Sequence, residues 1–117
     1  MTHDQILEKI SKAVSLKREG KFEDASELYR KLDKANPDYP VILKSWAKTL
    51  ICLGEYSLAE GKMLRAAIIY NKKGDDGNAW QCNDQLSTIQ NRFNDPDDFK
   101  SYVRGVSAGL ITNPKLD

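Results

Sequence analysis

The chain has 117 residues and a net charge of +1, with 30% charged residues, 40% hydrophobic residues, 4 Pro and 7 Gly. This length fits one domain, which buries roughly two thirds of its unfolded surface and can fold without metals or disulfides. The near-neutral charge argues against nucleic acid or an anionic membrane as a partner, and no apolar run approaches the roughly 18 residues of a membrane span. Since a signal-peptide pattern is also missing at the N-terminus, the sequence predicts a cytoplasmic protein.

The first two predicted helices form a hairpin. The first helix runs from about Asp4, its predicted cap, to about Arg18, and Gly20 ends it. The second begins at Phe22 and ends at 36–37, an Asn-Pro pair. Both helices carry apolar residues at the three-and-four spacing of a buried face: Ile6, Leu7, Ile10, Ala13, Val14 and Leu16, then Ala25, Leu28, Tyr29 and Leu32.

A second hairpin follows. The third predicted helix runs from about Pro40 to Leu53, because proline is tolerated in a first helical turn. Gly54 ends it, and the fourth helix runs from Tyr56 to about Lys72. The predicted buried residues are Leu43, Trp46, Ala47, Leu50 and Ile51, then Ala59, Met63, Ala66, Ala67 and either Ile69 or Tyr70.

The remainder of the chain predicts two more helices. Residues 74–77, with two Gly and two Asp, predict a loop, and Asn78 is the predicted cap of the fifth helix. The sixth begins at 95–96, an Asp-Pro pair, and ends at 113–114. We expect Trp80 to be a core side chain. The apolar positions are Cys82, Leu86, Ile89 and Phe93, then Phe99, Tyr102, Val103, Val106 and Leu110.

The sequence contains an internal repeat. Residues 20–25, Gly-Lys-Phe-Glu-Asp-Ala, recur after 34 residues as Gly-Glu-Tyr-Ser-Leu-Ala at 54–59. The same offset aligns Ala13 with Ala47, so the repeated unit is a whole hairpin. A repeat of this length indicates stacked helix pairs, which build a curved surface suited to holding another chain.

These features resemble the tetratricopeptide repeat (TPR) family, whose 34-residue unit is two antiparallel helices that cross at small residues. The second copy matches the family at Trp46, Ala47, Leu50, Gly54, Tyr56, Ala59 and Ala66, and the first at Ala13, Gly20, Phe22, Ala25, Tyr29 and Pro37. The resemblance implies an all-α fold, a right-handed superhelical stack of antiparallel hairpins with about six helices. The single domain, 1–117, would hold repeats at about 4–37 and 40–73 and a degenerate third hairpin at about 78–114.

The chain also departs from the family pattern. Lys9 and Lys12 occupy positions where the family prefers large apolar residues, Leu32 stands where it prefers Ala, and Tyr102 replaces a small residue in the third copy. Helix axes approach to about 8 Å only where the contacting side chains are small. We therefore expect the crossing points at two alanine pairs, Ala13 with Ala25 and Ala47 with Ala59.

In this family a concave face, lined by the first helix of each hairpin, commonly holds a partner segment. Periodicity maps that face to Leu7, Ile10, Val14, Lys17, Val41, Lys44, Lys48, Ile51, Cys52, Ser87, Asn91 and Asn94. An apolar strip beside Lys44 and Lys48 suits an acidic protein segment with apolar anchors, although the same lysines also fit an ordinary solvated helix face. Family members that grip a C-terminal carboxylate use Lys and Asn where this chain has Ile10 and Val14, so we do not expect that activity.

The predicted function is a non-enzymatic protein-protein interaction module, a small adaptor or chaperone. The sequence contains no glycine loop before a Lys, no metal-ligand cluster and no nucleophile with its base, so we expect no cofactor and no metal. Cys52 and Cys82 are expected to be reduced structural thiols.

The alternative is a structural subunit that self-associates as a homo-oligomer. No obvious polar capping helix follows the predicted sixth helix, and uncovered helix pairs tend to associate. Residues 1–73 carry 14 Lys and Arg against 10 Asp and Glu, whereas residues 74–117 carry 4 against 7, so the two parts have opposite net charge.

Overall fold

The computed structural model describes residues 1–87 and residue 89. This part of the chain is all-α, as predicted, and holds no strand among the residues described. The predicted sixth helix lies outside the described residues. Asn91, Asn94 and most of the degenerate third hairpin also lie outside them. The helices are α1 (His3–Arg18), α2 (Phe22–Ala35), α3 (Pro40–Cys52), α4 (Tyr56–Lys72) and α5 (Asp76–Ser87).

Each helix packs against the next one along the chain, and α1 also contacts α3. One continuous hydrophobic cluster joins all five helices. The alanines predicted at the helix crossings, Ala13, Ala25, Ala47 and Ala59, are all fully buried. The bounds of α1 to α4 agree with the sequence prediction to within one residue, because Gly and Pro residues mark the ends of these helices.

The cap of α1 differs from the prediction. Thr2, not Asp4, is the N-cap: its hydroxyl accepts from the Gln5 N–H at 3.2 Å, and the Gln5 side chain accepts from the Thr2 N–H at 2.9 Å. This reciprocal pair is a capping box. Asp4 lies in the first turn, where its negative charge complements the helix dipole.

Three of the turns between helices share one geometry. Gly20, Gly54 and Gly74 adopt left-handed φ values of +79°, +78° and +73° after α1, α3 and α4. In each turn the residue after the glycine donates its N–H to the carbonyl five residues back, at 2.9, 3.0 and 2.9 Å. This is the Schellman ending of a helix, which favours glycine because a Cβ is strained at positive φ.

The third of these turns corrects the sequence prediction for 74–77. Residues Asp76 and Gly77 belong to α5, and Asp75 rather than Asn78 caps that helix. The Asp75 carboxylate accepts from the Asn78 backbone N–H at 3.3 Å and from the Asn78 side chain at 2.8 Å, and these bonds lower the Asp75 pKa. Helix α3 begins 20 residues after Gly20, and α5 begins 22 residues after Gly54, so the start of α5 keeps the spacing of the first two copies to within two residues.

The connection from α2 to α3 is different in kind. It runs through 36–39, with Asp38 at a φ of +62°, and Pro40 then opens α3. The carboxylate of Asp38 pairs with the guanidinium of Arg65 on α4. The link is therefore tied to the second hairpin, although an exposed ion pair of this kind contributes at most about 1 kcal/mol.

Tyr29 gives the fold a predictable response to high pH. Its side chain is 1% exposed, and burial raises its pKa to about 12. In the unfolded chain tyrosine ionises near pH 10, so between about pH 10 and pH 12 only the unfolded state loses this proton. The free energy of unfolding should therefore fall through that window in urea titrations, and fall less in Tyr29→Phe. Equal losses in both proteins would contradict this role for Tyr29.

Candidate partner-binding face

Helix α3 has one narrow exposed side. Nine of its thirteen residues are buried, and the other four are only partly exposed. Those four stand at positions i, i+3, i+4 and i+7, so they form one stripe along the helix. We call this set the α3 stripe: Val41, Lys44, Ser45 and Lys48.

The two lysines of the α3 stripe lie toward α5. The ammonium group of Lys44 donates a hydrogen bond to the Gln81 side-chain oxygen. Burial raises the pKa of the Cys82 thiol, while the nearby charges of Lys44 and Lys48 act in the opposite direction. Both lysines therefore lie close enough to α5 for their charge to act there.

Helix α1 contributes the neighbouring surface. It contacts α3 directly, and Val14 and Lys17 are partly exposed on it. Leu7 is 39% exposed, whereas Ile10 is buried at 7%. At the start of α1 the His3 ring lies 5.8 Å from the Tyr39 ring, the residue that precedes α3. Leu7, Val14 and Lys17 thus remain available at the surface, and Ile10 belongs mainly to the core.

The predicted exposure of two groove residues is wrong. Ile51 and Cys52 are both 0% exposed, so they have no surface for a partner to contact. The Cys52 thiol is also placed within hydrogen-bond reach of the Lys48 carbonyl in the same helix, at 3.5 Å. Periodicity located the partly exposed side of α3 at Val41, Lys44 and Lys48 but overestimated how wide that side is. Ser87 is exposed on α5.

Trp80 was expected in the core and is instead 69% exposed. The core side of α5 is formed by residues at helical spacing, Ala79, Cys82, Gln85 and Leu86, and Trp80 projects away from it. The sequence already held this signal, because Trp80 does not share the spacing of Cys82, Leu86 and Ile89. The structure therefore adds an exposed aromatic side chain to α5.

Two surface hollows lie away from the α3 stripe. One, of about 360 Å³, sits at the α1–α2 turn and includes Phe22 and Leu53 in its lining. The other, of about 490 Å³, lies along α1 and is lined by Met1, Gln5, Glu8, Lys9 and Lys12. Lys9 and Lys12 depart from the family pattern and are exposed here, so they leave no buried charge.

Three further features concern disulfide bonds, metal binding and membrane-spanning helices. Cys52 and Cys82 are buried thiols that form no disulfide in the described residues. Within residues 1–87 and 89, no group of three or more His, Cys, Asp or Glu side chains is placed to hold a metal ion. No helix in the same part of the chain has the length and apolar character needed to cross a membrane.

Comparison with known proteins adds no further constraint. No family model matches the chain, and neither the curated proteins nor the solved structures give a significant match.

Proposed function

We propose that this chain is a non-enzymatic protein-binding module that holds an acidic segment of a partner along the α3 stripe. Apolar anchors of that segment would contact Val41 and the flanking Leu7 and Val14 of α1. In this proposal α1 to α4 form two stacked TPR-like hairpins, and α5 supplies the far edge of the groove. Recognition is by side chains already placed by the helices, without a cofactor.

The observation that carries the proposal is the placement of Lys44 and Lys48. Both lysines are partly buried, and nine of the thirteen residues of their helix, α3, are fully buried. Lys44 donates its hydrogen bond to a neutral amide, the side chain of Gln81. A carboxylate that displaces the Gln81 amide would keep a charge-assisted hydrogen bond to the Lys44 ammonium and add an opposite charge beside it.

Two of the Gly turns support the stacked arrangement. The turn after α1 and the turn after α3 share the same φ, the same hydrogen bonds and a buried alanine five residues later. Equivalent turns set equivalent crossing geometry in two successive hairpins. Helices α1 and α3, the first of each hairpin, then lie side by side, consistent with their direct contact.

A charge-reversal experiment tests the proposal. We expect Lys44→Glu/Lys48→Glu to weaken binding of an acidic partner segment by more than about tenfold, since each lost charge-assisted bond is worth about 1.5 to 3 kcal/mol. Partner segments would be selected from a displayed peptide library and confirmed by quantitative pull-down from lysate. Affinity should also fall as salt is raised, because screening weakens the lysine contacts.

The matched control is Lys9→Glu/Lys12→Glu, which changes net charge equally on the outer side of α1. Thermal melts would confirm that both double variants are folded. If both double variants weaken binding equally, the effect comes from overall charge and not from the α3 stripe. Full binding by Lys44→Glu/Lys48→Glu would contradict recognition at the α3 stripe.

A further inference from the structure

The chain contains an acidic segment with apolar ends of its own. Residues 93–99, Phe-Asn-Asp-Pro-Asp-Asp-Phe, hold three carboxylates and no Lys or Arg between two phenylalanines. Residues 22–28 also hold three acids without a Lys or Arg, but they form part of α2. Residues 93–99 lie outside the described residues and begin six residues after the end of α5. They have the chemistry that the α3 stripe is proposed to bind.

Helix α5 ends close to the level of Lys48. The turns on either side of α4 are short, so α3 and α5 each run antiparallel to α4 and roughly parallel to one another. Lys44 bonds to Gln81, and Ser87 comes six residues after Gln81, about 9 Å further along α5. Lys48 comes four residues after Lys44, about 6 Å in the same direction. The end of α5 therefore lies less than one helical turn beyond Lys48 along the helix axis.

The chain that follows α5 is long enough to return to the α3 stripe. Asp95 comes eight residues after Ser87, and an extended chain covers at most about 3.6 Å per residue, so this stretch spans up to about 29 Å. The Lys44–Gln81 bond shows that only two side chains separate α3 from α5. The acidic segment can therefore reach both lysines of its own molecule.

We propose that residues 93–99 occupy the α3 stripe of their own molecule when no partner is bound, with their carboxylates beside Lys44 and Lys48. Such occupancy rests on the proposed function and regulates the same site, because a partner segment must displace the chain's own segment before it binds. The phenylalanines of the segment supply the apolar anchors that contact Val41 and its neighbours.

Charge and linkage favour this occupant over a separate molecule. Two positive charges stand one turn apart on α3, and three negative charges lie within residues 95–98. A linker this short gives an effective concentration on the order of millimolar. An identical segment on a second copy would match it only at about millimolar protein. The chain's own segment therefore occupies the stripe first.

A peptide of residues 93–99, acetylated and amidated at its ends, tests the proposal when added to the full chain. We expect Asp95→Asn/Asp97→Asn/Asp98→Asn to bind the peptide about tenfold more tightly than wild type, because its own segment no longer competes. At an effective concentration of about 1 mM, this ratio corresponds to a peptide Kd of about 0.1 mM. Asparagine is also a good helix cap, so the variant keeps the predicted start of the sixth helix. NMR titration measures both affinities.

Two further variants identify the site. Adding Lys44→Glu/Lys48→Glu to the triple variant should abolish peptide binding. The matched control is Asp4→Asn/Glu8→Gln/Glu27→Gln, which removes three exposed carboxylates from α1 and α2 and should bind the peptide like wild type. Thermal melts would confirm that each variant is folded.

The outcomes separate this proposal from the proposed function. Equal peptide binding by wild type and the triple Asp variant would overturn occupancy by the chain's own segment. If the lysine reversals still abolish that binding, the proposed function is supported. Failure of the peptide to bind the triple variant, or equal tightening by the matched control, would also overturn the occupancy. Segments selected from the peptide library then test the proposed function separately.

Cross-linking gives a second test that leaves every charge in place. Ser45→Cys/Asn94→Cys should form a disulfide within one chain, because docking brings the α3 stripe and the segment together. Ser11→Cys/Asn94→Cys, with its first cysteine exposed on α1, should not. Cys52 and Cys82 are buried and stay in both variants. Equal cross-linking of the two variants, or disulfides formed only between chains, would overturn the proposal.

Discussion

Replacing Trp46 with alanine should lower the free energy of unfolding by about 3 to 5 kcal/mol, the largest effect we expect from a single substitution in this chain. Trp46 is 7% exposed in the centre of α3. Its indole N–H donates to the Ser26 hydroxyl on α2 at 2.9 Å. The ammonium group of Lys62, on α4, lies 4.5 Å from the centre of a Trp46 ring. One side chain therefore joins three helices, and its removal leaves a cavity between them.

Two smaller changes separate these contributions. Trp46→Phe keeps most of the ring packing but removes the hydrogen-bond donor, and we expect a smaller loss than for alanine. Ser26→Ala removes only the acceptor and should cost about 1 to 3 kcal/mol if it leaves the indole N–H unsatisfied. Urea denaturation followed by circular dichroism measures all three variants. If Trp46→Ala costs no more than Ser26→Ala, Trp46 does not hold the three helices together.

The first four helices could be predicted from sequence because their boundaries are set by local chemistry. Gly20 and Gly54 adopt a conformation that other residues avoid, and Pro40 suits only the first turn of a helix. The predicted start of α5 was wrong because the sequence offers two equally plausible caps, Asp75 and Asn78. Which of the two caps the helix depends on the Gly74 turn, because this turn fixes where the chain leaves α4.

The candidate site was predictable only in part. Helical periodicity finds the side of α3 that holds Lys44 and Lys48, since it depends on the helix alone. How far burial extends around α3 depends on how many helices cover it, which is why Ile51 and Cys52 were misplaced. Trp80 was misplaced for another reason: its size was weighed above its position relative to the apolar spacing of α5.

The second large effect concerns Ala59. We expect Ala59→Leu to destabilise the fold by about 1 to 3 kcal/mol, because Ala59 is 0% exposed in the first turns of α4 and three added carbon atoms have no space there. Ser57→Leu is the matched control: Ser57 is exposed two residues earlier, so the added side chain extends into solvent and should change stability by no more than about 0.5 kcal/mol. Both are measured by thermal melts at low concentration. An unchanged midpoint for Ala59→Leu would contradict a tight crossing of α3 and α4 at this residue, since a looser crossing would accommodate the leucine.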